Sequence, residues 1–223
     1  MYTDIPQTIK DIKARFRLFM NGAISHSMRE KGLGYKLNFG IEYPRIKEIA
    51  QDFPPSVELA QQLWNENIRE CKIMATLLYP RTEVRKDIAE LWIEEIQYPE
   101  IAEYATMNVF QYLPQASDTA FVWIADERPY FALCGYLLLT RLFMGKSILE
   151  ERSEAEFIDQ SITAIATDEP IIQKAAGNAL KRFISVQRGN YKKVSKYIQE
   201  LLTSTNELAV AIAKEIKEES TFA

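Results

Sequence analysis

One histidine, His26, and two cysteines, Cys71 and Cys134, are all that 223 residues offer to an imidazole or thiol mechanism or to a soft metal. Both cysteines sit in apolar helical runs, their spacing matches no ligand motif, and one histidine cannot complete a zinc set. The expectation is two buried free thiols, no metal and no cofactor. No Ser-His-Asp or Cys-His arrangement is readable, and no glycine loop of the phosphate-cradling kind is present. Glycine is scarce, at 8 residues. Together with long amphipathic stretches, this scarcity reads as an all-α chain. Apolar runs of the roughly 20 residues that span a bilayer are missing, as is a signal peptide, so the expected protein is cytoplasmic with no membrane partner. An excess of positive charge is missing too: the formal net charge is −4. There is no global pull towards nucleic acid, and any such binding needs a local basic patch.

What remains is an ordinary globular composition, 47 % hydrophobic and 26 % charged, in a length that suits one domain or one elongated array. Residues 4–20 place Ile5, Ile9, Ile12, Phe16 and Phe19 at helical spacing, opposite Lys10, Lys13 and Arg17. Residues 22–42, with Gly32, Gly34 and Gly40, are the most irregular part; Arg29, Lys31, Tyr35 and Lys36 there suit either an ordinary loop or a phosphate contact. A short helix follows Tyr43-Pro44, and Ser56 caps the next after Pro54-Pro55. From there helix pairs are predicted at 56–64 with 67–79, 82–95 with 98–113, 117–125 with 128–144, and 153–166 with 169–187. The tail, 190–220, adds a further pair. Irregular hairpin repeats of this size predict an α-solenoid of HEAT-like antiparallel pairs over 1–223: divergent helices and a loop to 42, repeats over 43–190, and C-terminal helices from 191. Stacked neighbours bury each apolar stripe, and the second helices line a concave face where a long ligand binds.

The second helices therefore hold the candidate site. In residues 67–79, Ile68, Cys71, Ala75 and Leu78 form the core stripe, leaving Arg69 and Lys72 for the ligand face. On the helix from Pro99, Glu100 and Glu103 stand one turn apart, a pair able to raise a pKa or position a water, though such spacing is also routine on a solvated face. The helix from 128 is apolar nearly throughout, with charge only at Arg128 and Arg141. In residues 168–183, DEPIIQKAAGNALKRF, Thr167 or Asp168 is positioned to cap the helix and Pro170 fits its first turn. Ile172, Ala176, Ala179, Leu180 and Phe183 make its buried stripe, while Lys174, Asn178, Lys181 and Ser185 mark another face. Gly177 costs roughly 1 kcal/mol of helix propensity relative to alanine, which points to close packing or a ligand. Two readings stand for that face: a solvated basic surface, or a surface offered to a phosphate backbone. The same holds for the basic run Lys181, Arg182, Arg188, Lys192, Lys193 and Lys196.

Three passages carry a family resemblance. Phe39-Gly40-Ile41 precedes Tyr43-Pro44-Arg45; Arg69-Glu70 precedes Met74-Ala75; Gln173-Lys174-Ala175-Ala176-Gly177 precedes Leu180-Lys181-Arg182-Phe183. In this order, over roughly 35–190, the chain resembles the bacterial AlkD-like DNA alkylation repair proteins. The resemblance implies a HEAT-like solenoid holding duplex DNA on a basic concave face. Active members excise cationic N3- and N7-alkylpurines, using an aspartate near the sugar and tryptophans packed on it. On the best hydrophobic register Glu103 stands at the aspartate and Glu100 at an earlier acidic position; a shift of one puts Tyr104 there. Asn178 occupies a tryptophan position, and a basic position of the third repeat falls in Phe131–Leu133, near Arg128. The implied catalytic residues are Glu103 and Glu100. The implied DNA contacts are Arg45, Arg69, Lys72, Arg128, Lys174, Asn178 and Lys181. A DNA glycosylase, a silent solenoid that binds DNA structure or a protein, and a pure protein scaffold all remain compatible with the residues.

Overall fold

The structure, a computed structural model, describes residues 4–187 and 189–220. Among them it has thirteen α-helices and no strand, with one isolated parallel bridge between Leu37 and Ile68. The helices form two compact units, one within 1–114 and one within 115–223.

The first unit contains α1 (Ile5–Leu18), α2 (Gly22–Glu30), α3 (Tyr43–Ala50), α4 (Val57–Trp64), α5 (Arg69–Leu78), α6 (Lys86–Glu94) and α7 (Pro99–Asn108). Asp4 caps α1 by accepting the Gln7 amide, Asn21 caps α2, and Ser56 caps α4 through the Leu59 amide. Helices α3, α5 and α7 pack in succession, with α1 and α4 against their other side. The core holds Ile12, Phe16, Ile46, Leu59, Leu63 and Trp64, each buried almost completely. Burial of each such side chain stabilises the unit by about 1.5–3 kcal/mol relative to exposure. Trp64 stacks on Trp92 at 4.1 Å between centroids. Phe19, expected in the α1 stripe, lies beyond the helix as its C-cap and is exposed.

The irregular stretch 31–42 is folded by specific polar contacts. Glu70, fully buried, accepts the backbone amides of Phe39 at 3.0 Å and Ile41 at 3.2 Å. Gly40 adopts φ 69°, and a Cβ there would lie 2.3 Å from the Asn21 carbonyl oxygen. A side chain is excluded on both counts. The Phe39-Gly40-Ile41 and Arg69-Glu70 passages are thus two halves of one clamp that closes the loop onto α5.

The second unit contains α8 (Ala116–Ile124), α9 (Pro129–Met144), α10 (Glu151–Ile165), α11 (Pro170–Val186), α12 (Asn190–Leu201) and α13 (Glu207–Ser220). Helices α9, α11 and α13 pack in succession, backed by α8, α10 and α12 as their hairpin partners. The predicted pairs from 56 onward match the observed helices, and Pro99, Pro129 and Pro170 open the second helices α7, α9 and α11. Proline suits that first turn because its missing N–H has no partner to lose. The core is aromatic, with Phe143, Phe157 and Phe183 mutually 5.2–5.6 Å apart. Glu169 is the N-cap of α11, in place of Thr167 or Asp168, and makes no side-chain cap bond. Thr167 instead donates to the Ala164 carbonyl, and Asp168 accepts from Asn206.

Candidate nucleic-acid interface

The acidic pair on α7 is split by its surroundings. Arg69 on α5 is buried, and its Nε donates to both carboxylate oxygens of Glu100 at 3.0 Å. Its Nη1 donates to the Ile41 carbonyl at 2.8 Å and to Glu70 at 3.2 Å. Burial alone would lower the guanidinium pKa; the Glu100 and Glu70 carboxylates outweigh it and the net shift is upward. Tyr35 also donates to Glu100, at 2.9 Å, and burial together with that carboxylate pushes its phenol pKa well up. Glu100 is thus occupied from inside the protein, and Arg69 faces the core rather than a ligand. Loop, α5 and α7 meet at these side chains, and Tyr98 accepts the Gly34 amide at 2.8 Å beside them.

Glu103, one turn on, is exposed and makes no hydrogen bond or ion pair among the described residues. Partial burial first, and the Glu100 charge second, hold its carboxyl pKa above the ordinary range. Next to it Tyr104 stacks on Tyr43 of α3, at 4.7 Å and 15°. Tyr43 donates to Asn108 at 3.1 Å, and Asn108 donates to Thr76 at 2.8 Å, so the tyrosine pair is braced by α7 and α5. A half-buried aromatic pair beside an unpartnered carboxylate can orient a water, accept a hydrogen bond or stabilise nearby positive charge. Tyr43 was visible in sequence only as a helix start; its stacking with Tyr104 is a tertiary fact.

The other two candidate cations of this unit, Arg45 and Lys72, are already engaged. Arg45 pairs with Glu48 at 2.5 Å and lies over the Phe19 ring at 4.6 Å, with its side chain 44 % exposed. Lys72 donates to the Trp64 carbonyl at 2.7 Å and sits over the Trp64 ring at 4.5 Å; burial lowers its pKa against the opposing pull of Glu95.

In the second unit, Lys174 and Asn178 are exposed on α11 without partners among the described residues. Lys181, one turn further, donates to Glu215 of α13 at 2.9 Å. Lys174, Asn178, Lys181 and Glu215 share a cavity of about 220 Å³ with Leu208 and Ile212. Gln173, buried, donates to the Ile165 carbonyl and to Asn206, which caps α13 through the Ala209 amide. A Cβ on Gly177 would lie 2.6 Å from the Ile212 side chain. The glutamine and glycine of this passage therefore seat α13, which answers the packing question raised by Gly177. Arg128 is held by Asp126, at 2.7 Å, and lies 3.6 Å from the Phe131 ring centroid. Lys193 pairs with Glu154 at 2.6 Å, and Arg188 lies outside the described residues.

A family model described as DNA alkylation repair enzyme matches residues 12–216. The chain belongs to that family. It is similar to a solved structure described as "a new family of proteins related to the HEAT-like repeat DNA glycosylases with affinity for branched DNA structures". The identity is 15 % over 97 % of this chain and 95 % of that one, with a TM-score of 0.78. At that identity the likeness carries the fold, which is HEAT-like. No curated protein matches. The match of the family model reaches beyond the three passages to include α12 and most of α13, so the packing of α13 on α11 falls within the family's extent. No helix among the described residues is long and apolar enough to cross a membrane.

Proposed function

We propose that this member of the DNA alkylation repair family binds DNA through the sugar–phosphate backbone. Lys174, Asn178 and Lys181 on α11 are its phosphate contacts in the second unit, and the α7 patch meets a deoxyribose in the first. The observation that supports this best is the α11 face: one free ammonium, one free amide and a second ammonium around a single open cavity. Arg45 and Arg128 contribute by exchange. Their carboxylate partners are surface ion pairs, worth at most about 1 kcal/mol, and a phosphate competes with them on even terms. Arg69 and Lys72 support the site by holding Glu100 and the 64–72 corner, because freeing either would break buried contacts.

The chemistry proposed for α7 is hydrolysis of the N-glycosidic bond of a cationic N3- or N7-alkylpurine. The bond electrons leave with the purine and neutralise its ring, while water adds at C1′ and gives up a proton to solvent. Glu103 stabilises the sugar cation that develops between, and Tyr43 and Tyr104 supply the aromatic wall. A second reading, a binder of DNA structure without excision, is supported by the internal neutralisation of Glu100 and by Asn178 at a position where the family resemblance expects tryptophan. The affinity for branched DNA of the similar structure makes a four-way junction the first partner to try under that reading.

One experiment separates them. The purified protein is incubated with duplex DNA carrying N7-methylguanine, and base release and binding are measured together under single-turnover conditions. Excision predicts release by wild type that falls about a hundred- to thousand-fold in Glu103→Gln. Binding without release establishes the second reading, and no binding at low salt refutes both.

A further inference from the structure

We propose that the acidic edge of α13 is a built-in competitor for DNA: Glu215, backed by Glu219, occupies the phosphate position at Lys181. The inference rests on the α11 reading above and names its regulation. A carboxylate oxygen 2.9 Å from the Lys181 ammonium stands where a phosphate oxygen would stand, and Glu219 lies 4.0 Å from the same nitrogen. Lys181 is only 17 % exposed, whereas Glu215 and Glu219 are 59 % and 62 % exposed. The cation is fixed in the cavity wall while its partners are free to swing away. Lys174 and Asn178, on the same wall, have no such partner, so the cavity is part open and part occupied by the protein's own anion.

The competitor is held in register by packing. Ala209, Ile212, Ala213 and Ile216 bury one face of α13, with Ile212 against Gly177. Glu215 and Glu219, one and two turns on from Ile212, then lie beside Lys181 of α11. A backbone phosphate entering the cavity displaces the carboxylates rather than α13 itself, because the apolar face keeps the helix seated. The consequence is attenuated, salt-sensitive affinity: the site takes a phosphate only where Lys174 and neighbouring contacts add to the exchange.

The test uses the full chain with labelled four-way-junction and duplex DNA, over a salt series. A Glu215→Gln, Glu219→Gln variant keeps side-chain size and removes the competing charge. Binding at low salt is expected to tighten about two- to fivefold, the range set by an exposed ion pair. The log–log salt slope is expected to steepen by up to about 0.9, as the phosphate contact that Glu215 contests at Lys181 becomes fully made. Adding Lys181→Gln must abolish both gains; if the gains persist, Lys181 is not the contested cation and the inference falls. Unchanged affinity in the double glutamine variant, with binding weakened by Lys174→Glu, overturns the competitor and leaves the α11 reading standing. If neither variant alters binding, both fall.

Discussion

Replacing Glu70 by glutamine removes the acceptor on which the 31–42 loop is built. The carboxylate now receives the Phe39 amide at 3.0 Å, the Ile41 amide at 3.2 Å and Arg69 Nη1 at 3.2 Å, all buried. Glutamine has one acceptor oxygen, and its NH₂ would confront an N–H donor. At least one buried amide then loses its partner, which costs about 1–3 kcal/mol. Arg69 also loses one of two carboxylates; breaking a buried pair outright costs about 3–5 kcal/mol, and the surviving Glu100 bonds reduce that share. The expected net loss is about 3 kcal/mol. For a chain of this size that lowers Tm by about 6–12 °C. Thermal unfolding followed by tryptophan fluorescence reads it, since Trp64 and Trp92 stack in the same unit. A decrease below about 2 °C would refute the clamp, and with it the account of why Phe39-Gly40-Ile41 and Arg69-Glu70 occur together.

Gly177→Leu forces Ile212 and α13 aside, at a cost of about 1–3 kcal/mol, and is expected to speed amide exchange in α13; unchanged exchange would mean the helix is not seated on that glycine. Glu103→Gln is expected to stabilise the fold slightly at pH 7, by about 0.2–0.5 kcal/mol, by removing a partly buried charge and, second, its like-charge repulsion with Glu100. The raised carboxyl pKa favours the protonated form in the folded state, so the native residue's contribution is present at low pH and is lost as pH rises through the folded pKa. Denaturant unfolding at pH 7 and pH 4 should therefore show the variant's advantage at the higher pH only; an advantage at both would locate the effect in packing.

The hairpins were legible because each second helix from α7 to α11 begins at proline, α9 is apolar nearly throughout, and α11 carries its apolar residues at a 3.6 period. Local signals of that kind survive in one dimension. The error at Phe19 has the same source: periodicity cannot see that Leu18 ends the helix. The site was less legible. Arg69 reads as a surface cation on the helical wheel beside Cys71 and Ala75, and only the fold brings the 31–42 loop and Glu100 over it. The partners of Lys181 and Tyr43 come from α13 and α7, too distant in sequence for any spacing to reveal. Glu103 and Lys174 are candidates from register and face, and of the charged candidates they are the two without an ion-pair or hydrogen-bond partner among the described residues.

The central claim, that α11 meets a phosphate backbone, is tested most directly by the salt dependence of DNA binding in wild type and Lys174→Glu. Fluorescence anisotropy with labelled duplex and four-way-junction DNA, between about 20 and 200 mM salt, supplies both affinity and slope. Each phosphate neutralised on a duplex contributes about −0.9 to the log–log slope. The account predicts weaker binding by the variant at every salt concentration on both DNAs, with a duplex slope shallower by about 0.9. Equal affinity and equal slope in the two proteins would contradict it.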